Sequence, residues 1–146
     1  MVNHSRVVKL LEDYKEWKSE CFECIEEINN NDNEKIKKML FHSIRAYFLD
    51  FHILCEDYIS INLKELNKFK IGISAIEGME TLKDSLCISE EFFDFYFISR
   101  KLRNRLAHRY KLPKDEELLL NLKENLKNID ELERVIERSE EHTSEL

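Results

Sequence analysis

Turn-forming residues are almost missing from this chain, which has Gly 2 and Pro 1 in 146 residues. β-Sandwiches and barrels need many tight turns, and those turns draw on glycine and proline. An all-β fold is thereby excluded. Long apolar runs are missing too. Phe92-Phe93 and Phe95-Tyr96-Phe97-Ile98 are broken by Asp94, far short of the roughly 20 apolar residues that span a bilayer. The opening segment holds Asn3, His4, Arg6 and Lys9 where a secretory signal would hold an apolar core. Together these absences predict a cytoplasmic chain with no membrane partner. Metal ligands are sparse as well. Cys21 and Cys24 have a zinc-like spacing, but no second close pair of Cys or His follows, and a structural zinc site needs one. Both also lie on an apolar helical stripe, where cysteine acts as a small hydrophobe. The expectation is core cysteine and no metal or other cofactor.

Charge and apolar periodicity are abundant. Charged residues make up 36% and hydrophobic ones 42%, the mixture of amphipathic helices with solvated outer faces. Val7, Leu10, Tyr14, Trp17, Cys21, Cys24 and Ile28 recur at helical spacing, predicting a first helix from Arg6 to Ile28. The Asn29 to Asn33 run should end it. A second, longer helix carries Ile36, Leu40, Ile44, Phe48, Phe51, Leu54 and Tyr58 and extends toward Leu66, with a connector over Phe69 to Gly72. A short third helix holds Ile76, Met79 and Leu82. Ser89 reads as the N-cap of a fourth, with Phe92, Phe95, Ile98, Leu102 and Leu106 inward. Pro113 suits the first turn of a fifth, which carries Leu119, Leu122, Leu126, Ile129, Leu132 and Ile136. The fold class expected is all-α: an antiparallel up-and-down bundle of four long helices plus one short one. Residues 1–137 form its single domain. Residues 138–146 read as a polar tail outside the fold, and they match the in-frame translation of a common sequencing-library adapter.

The net charge of -7 argues against a general nucleic-acid coat, but the average conceals a contrast. Arg100, Lys101, Arg103, Arg105, Arg109 and Lys111 crowd one segment without an acidic residue among them. A polyanion that binds this chain should bind there. Cations also gather at helix C-termini because they favour the helix dipole and cap free carbonyls, so the cluster alone has two readings. His42 and His52 lie inside the second helix and read as structural or surface histidines, while His4 and His142 lie near the ends and receive no role. Trp17 and the phenylalanines of the fourth helix have the spacing of a buried stripe.

Within the basic segment, Arg103, Asn104, Leu106, His108 and Tyr110 form the pattern Arg-Asn-x-Leu-x-His-x-Tyr. This resembles the HEPN superfamily, small helical ribonuclease domains marked by an arginine followed a turn or so later by a histidine. The tyrosine two positions past the histidine narrows the resemblance to HepT-like toxins, which pair with a nucleotidyltransferase antitoxin of the MntA type. The residue-level likeness is concentrated in 102–110, and the helical architecture agrees over most of 6–137. The resemblance implies a metal-independent RNA endonuclease acting as a toxin, a homodimer, with His108 as acid/base and Arg103 as the charge-stabilising group. It further implies that AMP transfer to Tyr110 silences the toxin. The residue types suit that chemistry: imidazole moves protons near neutral pH, and guanidinium is a planar, permanent partner for phosphorane oxygens. Asn104, Arg105 and Arg109 would support or bind substrate. On one straight helix Asn104 and His108 would share a face, as would Arg103 and Tyr110, whereas Arg103 and His108 would diverge by about 140°. Either the helix distorts before His108 or two chains combine at a two-fold interface. Two other readings stand beside this one: a catalytically silent HEPN partner of a nucleotidyltransferase, and a plain helical interaction protein in which Tyr110 merely closes the stripe of Leu102 and Leu106.

Overall fold

Asparagine and serine side chains set the helix boundaries. In the computed structural model, which describes residues 4–144, α1 covers His4–Asn30 and α2 covers Glu34–Glu65. Between them Asn31 Oδ1 accepts the Asn33 N–H (2.9 Å) and Asn33 Oδ1 accepts the Ile36 N–H (3.1 Å). Ser74 caps α3 (Ala75–Asp84) by accepting from Glu77 N–H, and Ser89 caps α4 (Glu90–Arg105) by accepting from Phe92 N–H. Each cap supplies an acceptor to an amide that the helix leaves unpaired. A 3-10 turn at Arg109–Lys111, α5 (Asp115–Lys123) and α6 (Leu126–Ser144) complete the chain. No strand occurs among the described residues, nor is any described helix long and apolar enough to cross a membrane.

The element count differs from the expected four long helices and one short. The fifth helix is two, α5 and α6. The Asn125 side chain donates to the Asn121 carbonyl (2.7 Å) while its amide bonds Leu122 at the tighter 3-10 spacing (3.2 Å). Such side-chain competition for backbone groups breaks a helix. Leu126, expected inward, is exposed as a result, while Leu118 is buried. Pro113 is buried ahead of the Lys114 cap position instead of occupying the first turn of α5.

α1 is sandwiched between α2 and α6, antiparallel to both. Cys24 Sγ donates to Leu40 O and Trp17 Nε1 to Tyr47 O (2.8 Å), so partner numbers rise as α1 numbers fall. Along α6, Lys18 pairs with Glu133, Lys15 with Glu137 and His4 with Thr143. Tyr14, wholly buried, donates to the Ile129 carbonyl at 2.6 Å. Cys21, Cys24 and Cys55 lie in this core as free thiols, and burial pushes Cys21 up to about 12. They are inert packing groups.

Two further expectations are corrected. The polar tail was expected to stand clear of the fold, yet α6 runs on through Ser144, Thr143 is buried against His4, and Ser139 Oγ donates to Asn62 (3.3 Å). These small polar side chains pack without an apolar stripe. The final two residues of that tail, Glu145 and Leu146, lie outside the described residues. In α4 the buried face is Phe92, Phe93, Phe95, Tyr96 and Ser99, while Ile98 is 60% exposed and Leu102 and Leu106 are only half-buried. The helix is rotated so that Ser99, not Ile98, faces inward.

Gly78 shows how closely α3 is seated on α2. A Cβ at this position would lie 2.5 Å from Ile59 Cγ2, and a β-branched side chain inside a helix has little freedom to yield. Alanine would favour the helix by about 1 kcal/mol, but overpacking costs about 1–3 kcal/mol. Gly78→Ala should therefore lower stability by roughly 1 kcal/mol on balance, measured by urea denaturation. A stabilised variant would show that α3 is free to shift.

Candidate functional site

α4 ends at Arg105, before the motif is complete. Leu106 N–H bonds Arg103 O (3.1 Å), Ala107 N–H bonds Asn104 O (3.2 Å) and His108 N–H bonds Arg105 O (3.0 Å). These contacts tighten the chain into turns of three-residue reach. His108 itself is extended (φ -120, ψ 113) and starts the 3-10 turn, whose Lys111 N–H bonds the His108 carbonyl at 3.0 Å. Of the two geometries left open by the sequence, the helix ends before the histidine. Consequently Asn104 and His108 do not share a helical face, and neither do Arg103 and Tyr110. The 140° divergence expected of a straight helix does not apply. Tyr110 does not close the Leu102 and Leu106 stripe either: it is 83% exposed, with its ring centroid 6.2 Å from that of His108.

The structure sorts the basic residues of this segment by what each one touches. Arg100 pairs with Glu56 at 2.7 Å and is nearly buried. Arg105 donates to the Lys111 carbonyl (3.1 Å) and lies 3.5 Å from Glu117. Both contacts are exposed, and together they link the turn to α5. Lys101 and Lys111 stand over the rings of Phe97 and Tyr110. Arg103, Asn104, His108 and Arg109 have no side-chain hydrogen bond or ion pair among the described residues. Arg103 is half-buried; Asn104, His108 and Arg109 are exposed.

His52, which the sequence offers as a structural or surface histidine, is a buried structural one on α2. His52 is 1% exposed, with Nε2 2.8 Å from Ser99 Oγ. Phe48, Phe51 and Tyr96 pack around its ring. Burial, and then the nearby charges of Arg100 and Arg103, lower its pKa from 6.5 to about 3. Arg103, itself half-buried, is the smaller of these charge contributions.

Two hollows flank the motif. One, of about 500 Å³, is lined on the α2 and α3 side by residues including Glu56, Ser60, Phe69, Ile73, Arg100 and Asn104. The other, of about 490 Å³, lies toward α5 and includes Ile98, Leu102, Arg105, Glu117 and Leu120. Asn104 and Arg105 therefore open onto different sides of the helix. No cluster of three potential metal ligands occurs among the described residues. In comparisons with known proteins the chain matches no family model, no curated protein and no solved structure.

His52 gives the fold a pH dependence. Its proton affinity is lower folded than unfolded, so acid favours the unfolded chain. Its contribution is fully present above about 6.5 and declines as pH falls toward about 3. Between pH 7 and 5 this amounts to about 2 kcal/mol. His52→Gln should show a correspondingly smaller loss over that interval in denaturant titrations. Equal losses in the two proteins would mean that His52 is not held neutral.

Proposed function

We propose that this chain is a metal-independent RNA endonuclease of the HepT-like kind, the toxin of a toxin–antitoxin pair that works in the cytoplasm. The observation that carries the reading is the sorting of side chains just described. In one short segment some cations are tied into the fold, while Arg103, His108 and Arg109 have no side-chain hydrogen bond or ion pair among the described residues. An unpaired, half-buried guanidinium favours an external anion, because water screens it incompletely. His108, in the same segment, supplies an imidazole to carry protons.

The reaction follows from these groups. The RNA 2′-hydroxyl loses its proton and its oxygen attacks the adjacent phosphorus. A 2′,3′-cyclic phosphate forms as the bond to the 5′-oxygen breaks, and that oxygen takes up a proton. His108 carries a proton in this exchange, Arg103 holds the charge on the nonbridging oxygens, and Asn104 and Arg109 hold the strand. An antiparallel up-and-down bundle belongs to the same reading, as does a two-fold homodimer. Support for the dimer comes from exposed apolar side chains that line one hollow with Arg105: Ile98 is 60% exposed and Leu120 52%. Tyr110, exposed on its 3-10 turn, suits modification by an MntA-like nucleotidyltransferase. Its hydroxyl, losing a proton, would attack the α-phosphate of ATP and release pyrophosphate, leaving an anionic AMP group in the basic segment to compete with RNA.

Purified protein should cut RNA in EDTA and leave 2′,3′-cyclic ends. His108→Ala and Arg103→Ala should each lower the rate about a hundredfold or more. Mixing the two inactive variants should restore cutting if each cleft draws its Arg103 and His108 from different chains. Normal cutting by His108→Ala would defeat the mechanism; failure of the mixture to recover would defeat the shared cleft alone. Tyr110→Phe keeps the ring but lacks the acceptor hydroxyl. It should cut RNA yet escape silencing by a co-expressed nucleotidyltransferase, and a silenced Tyr110→Phe protein would remove the switch.

A further inference from the structure

The hollow beside Asn104 is built unlike a phosphate site. Its one cation, Arg100, is neutralised by Glu56 at 2.7 Å, so the interior suits an uncharged group. Phe69, 43% exposed, forms part of its wall, and the Lys64 ammonium stands 5.0 Å from the ring centroid. Ile73 and Ile76 add apolar surface, while Ser60 and Asn104 present hydroxyl and amide groups with no side-chain partner among the described residues. An aromatic plane flanked by a few polar groups is how proteins hold an unstacked base. The volume of about 500 Å³ lies in the range of small-ligand sites.

Charge places the strand. The connector 66–74 contains Lys68 and Lys70 and no acidic residue. Beyond Ile73 a second hollow is lined by both of these lysines together with Glu77 and Glu80, so its charges balance and it offers a continuing phosphate backbone no net attraction. The groove between Asn104 and Phe69, with its own charges paired, is the ground on this side that suits a base.

We infer that this groove seats one nucleobase of the RNA strand next to the phosphate engaged by Arg103 and His108, stacked on Phe69 and met at its edge by Asn104 and Ser60. The inference rests on the ribonuclease reading and adds a source of sequence preference to it.

The test uses four 2′-O-methyl homotetranucleotides (A, C, G and U), which bind but cannot be cut, and free AMP. Phe69→Leu keeps apolar bulk in an exposed loop and removes the π-face; Phe69→Trp retains one. Phe69→Leu should weaken the best-bound tetranucleotide about tenfold and narrow the differences among the four. Phe69→Trp should restore both. Phe69→Leu should also raise KM, not lower kcat, for an RNA cut by wild-type protein. Cutting by wild type with an unchanged KM and unchanged preferences in Phe69→Leu would overturn the base seat and leave the ribonuclease standing. AMP bound as tightly as any tetranucleotide would assign the groove to a free nucleotide and overturn the RNA seat. Wild-type protein that neither binds nor cuts RNA would overturn both readings.

Discussion

The contact between His52 and Ser99 fixes the arrangement on which the candidate site depends. Two apolar registers are available to α4. One runs through Phe92, Phe95, Ile98, Leu102 and Leu106; the other through Phe92, Tyr96, Ser99 and Arg103. Burial of aliphatic surface alone favours the first. A buried imidazole with no partner costs roughly 1–3 kcal/mol, and Ser99 is the group on α4 that reaches it, at 2.8 Å. The bond to Nε2 holds the helix in the second register, with Tyr96 stacked against Phe92 and packed on the His52 ring, while Nδ1 stays buried without a partner among the described residues. That rotation leaves Ile98 exposed and Arg103 half-buried.

That rotation also explains which parts of the fold were legible in the sequence. Helix positions in α1 and α2 follow from apolar spacing because Tyr14, Trp17, Phe48 and Phe51 bury against neighbours with no polar competitor. The caps at Asn33, Ser74 and Ser89 are local chemistry, with each acceptor three residues from its donor; Ser89 was readable for that reason. The face of α4 was not, because the deciding partner lies 47 residues away on α2. The split between α5 and α6 escaped notice since Leu122 and Ile129 keep helical spacing across it, while Asn121 and Asn125 do the breaking. The packing of Thr143 was invisible because no apolar pattern announces it.

For the site, composition located the segment and spacing misjudged its shape. Arg103 to Tyr110 looked like one more turn and a half of α4. It is a helix end, an extended histidine and a 3-10 turn, and the Arg105 side chain holds these together by reaching across to Lys111 and Glu117. An arginine serving as a brace has the same letter in the sequence as an arginine serving an external anion. The connector around Phe69 was passed over because its neighbour in space, Asn104, is far away in the chain.

The distinction between paired and unpaired cations also bears on the plainest alternative, that basic residues gather here only to suit the end of a helix. A cation at a helix C-terminus gains about 0.3–1 kcal/mol from the dipole within the last turn. Arg103 and Arg105 lie in that last turn of α4, and Arg105 adds a carbonyl contact. Arg109 lies beyond it, on a separate 3-10 turn. His108 caps nothing with its side chain. Dipole and capping thus account for Arg105, and in part for Arg103, but not for Arg109, nor for His108 and Tyr110, whose ring centroids lie 6.2 Å apart. These are residues that the fold leaves exposed at one turn. A purely structural explanation of the segment has to treat their company as incidental, whereas binding and cutting a phosphodiester gives each of Arg103, His108 and Arg109 a separate role.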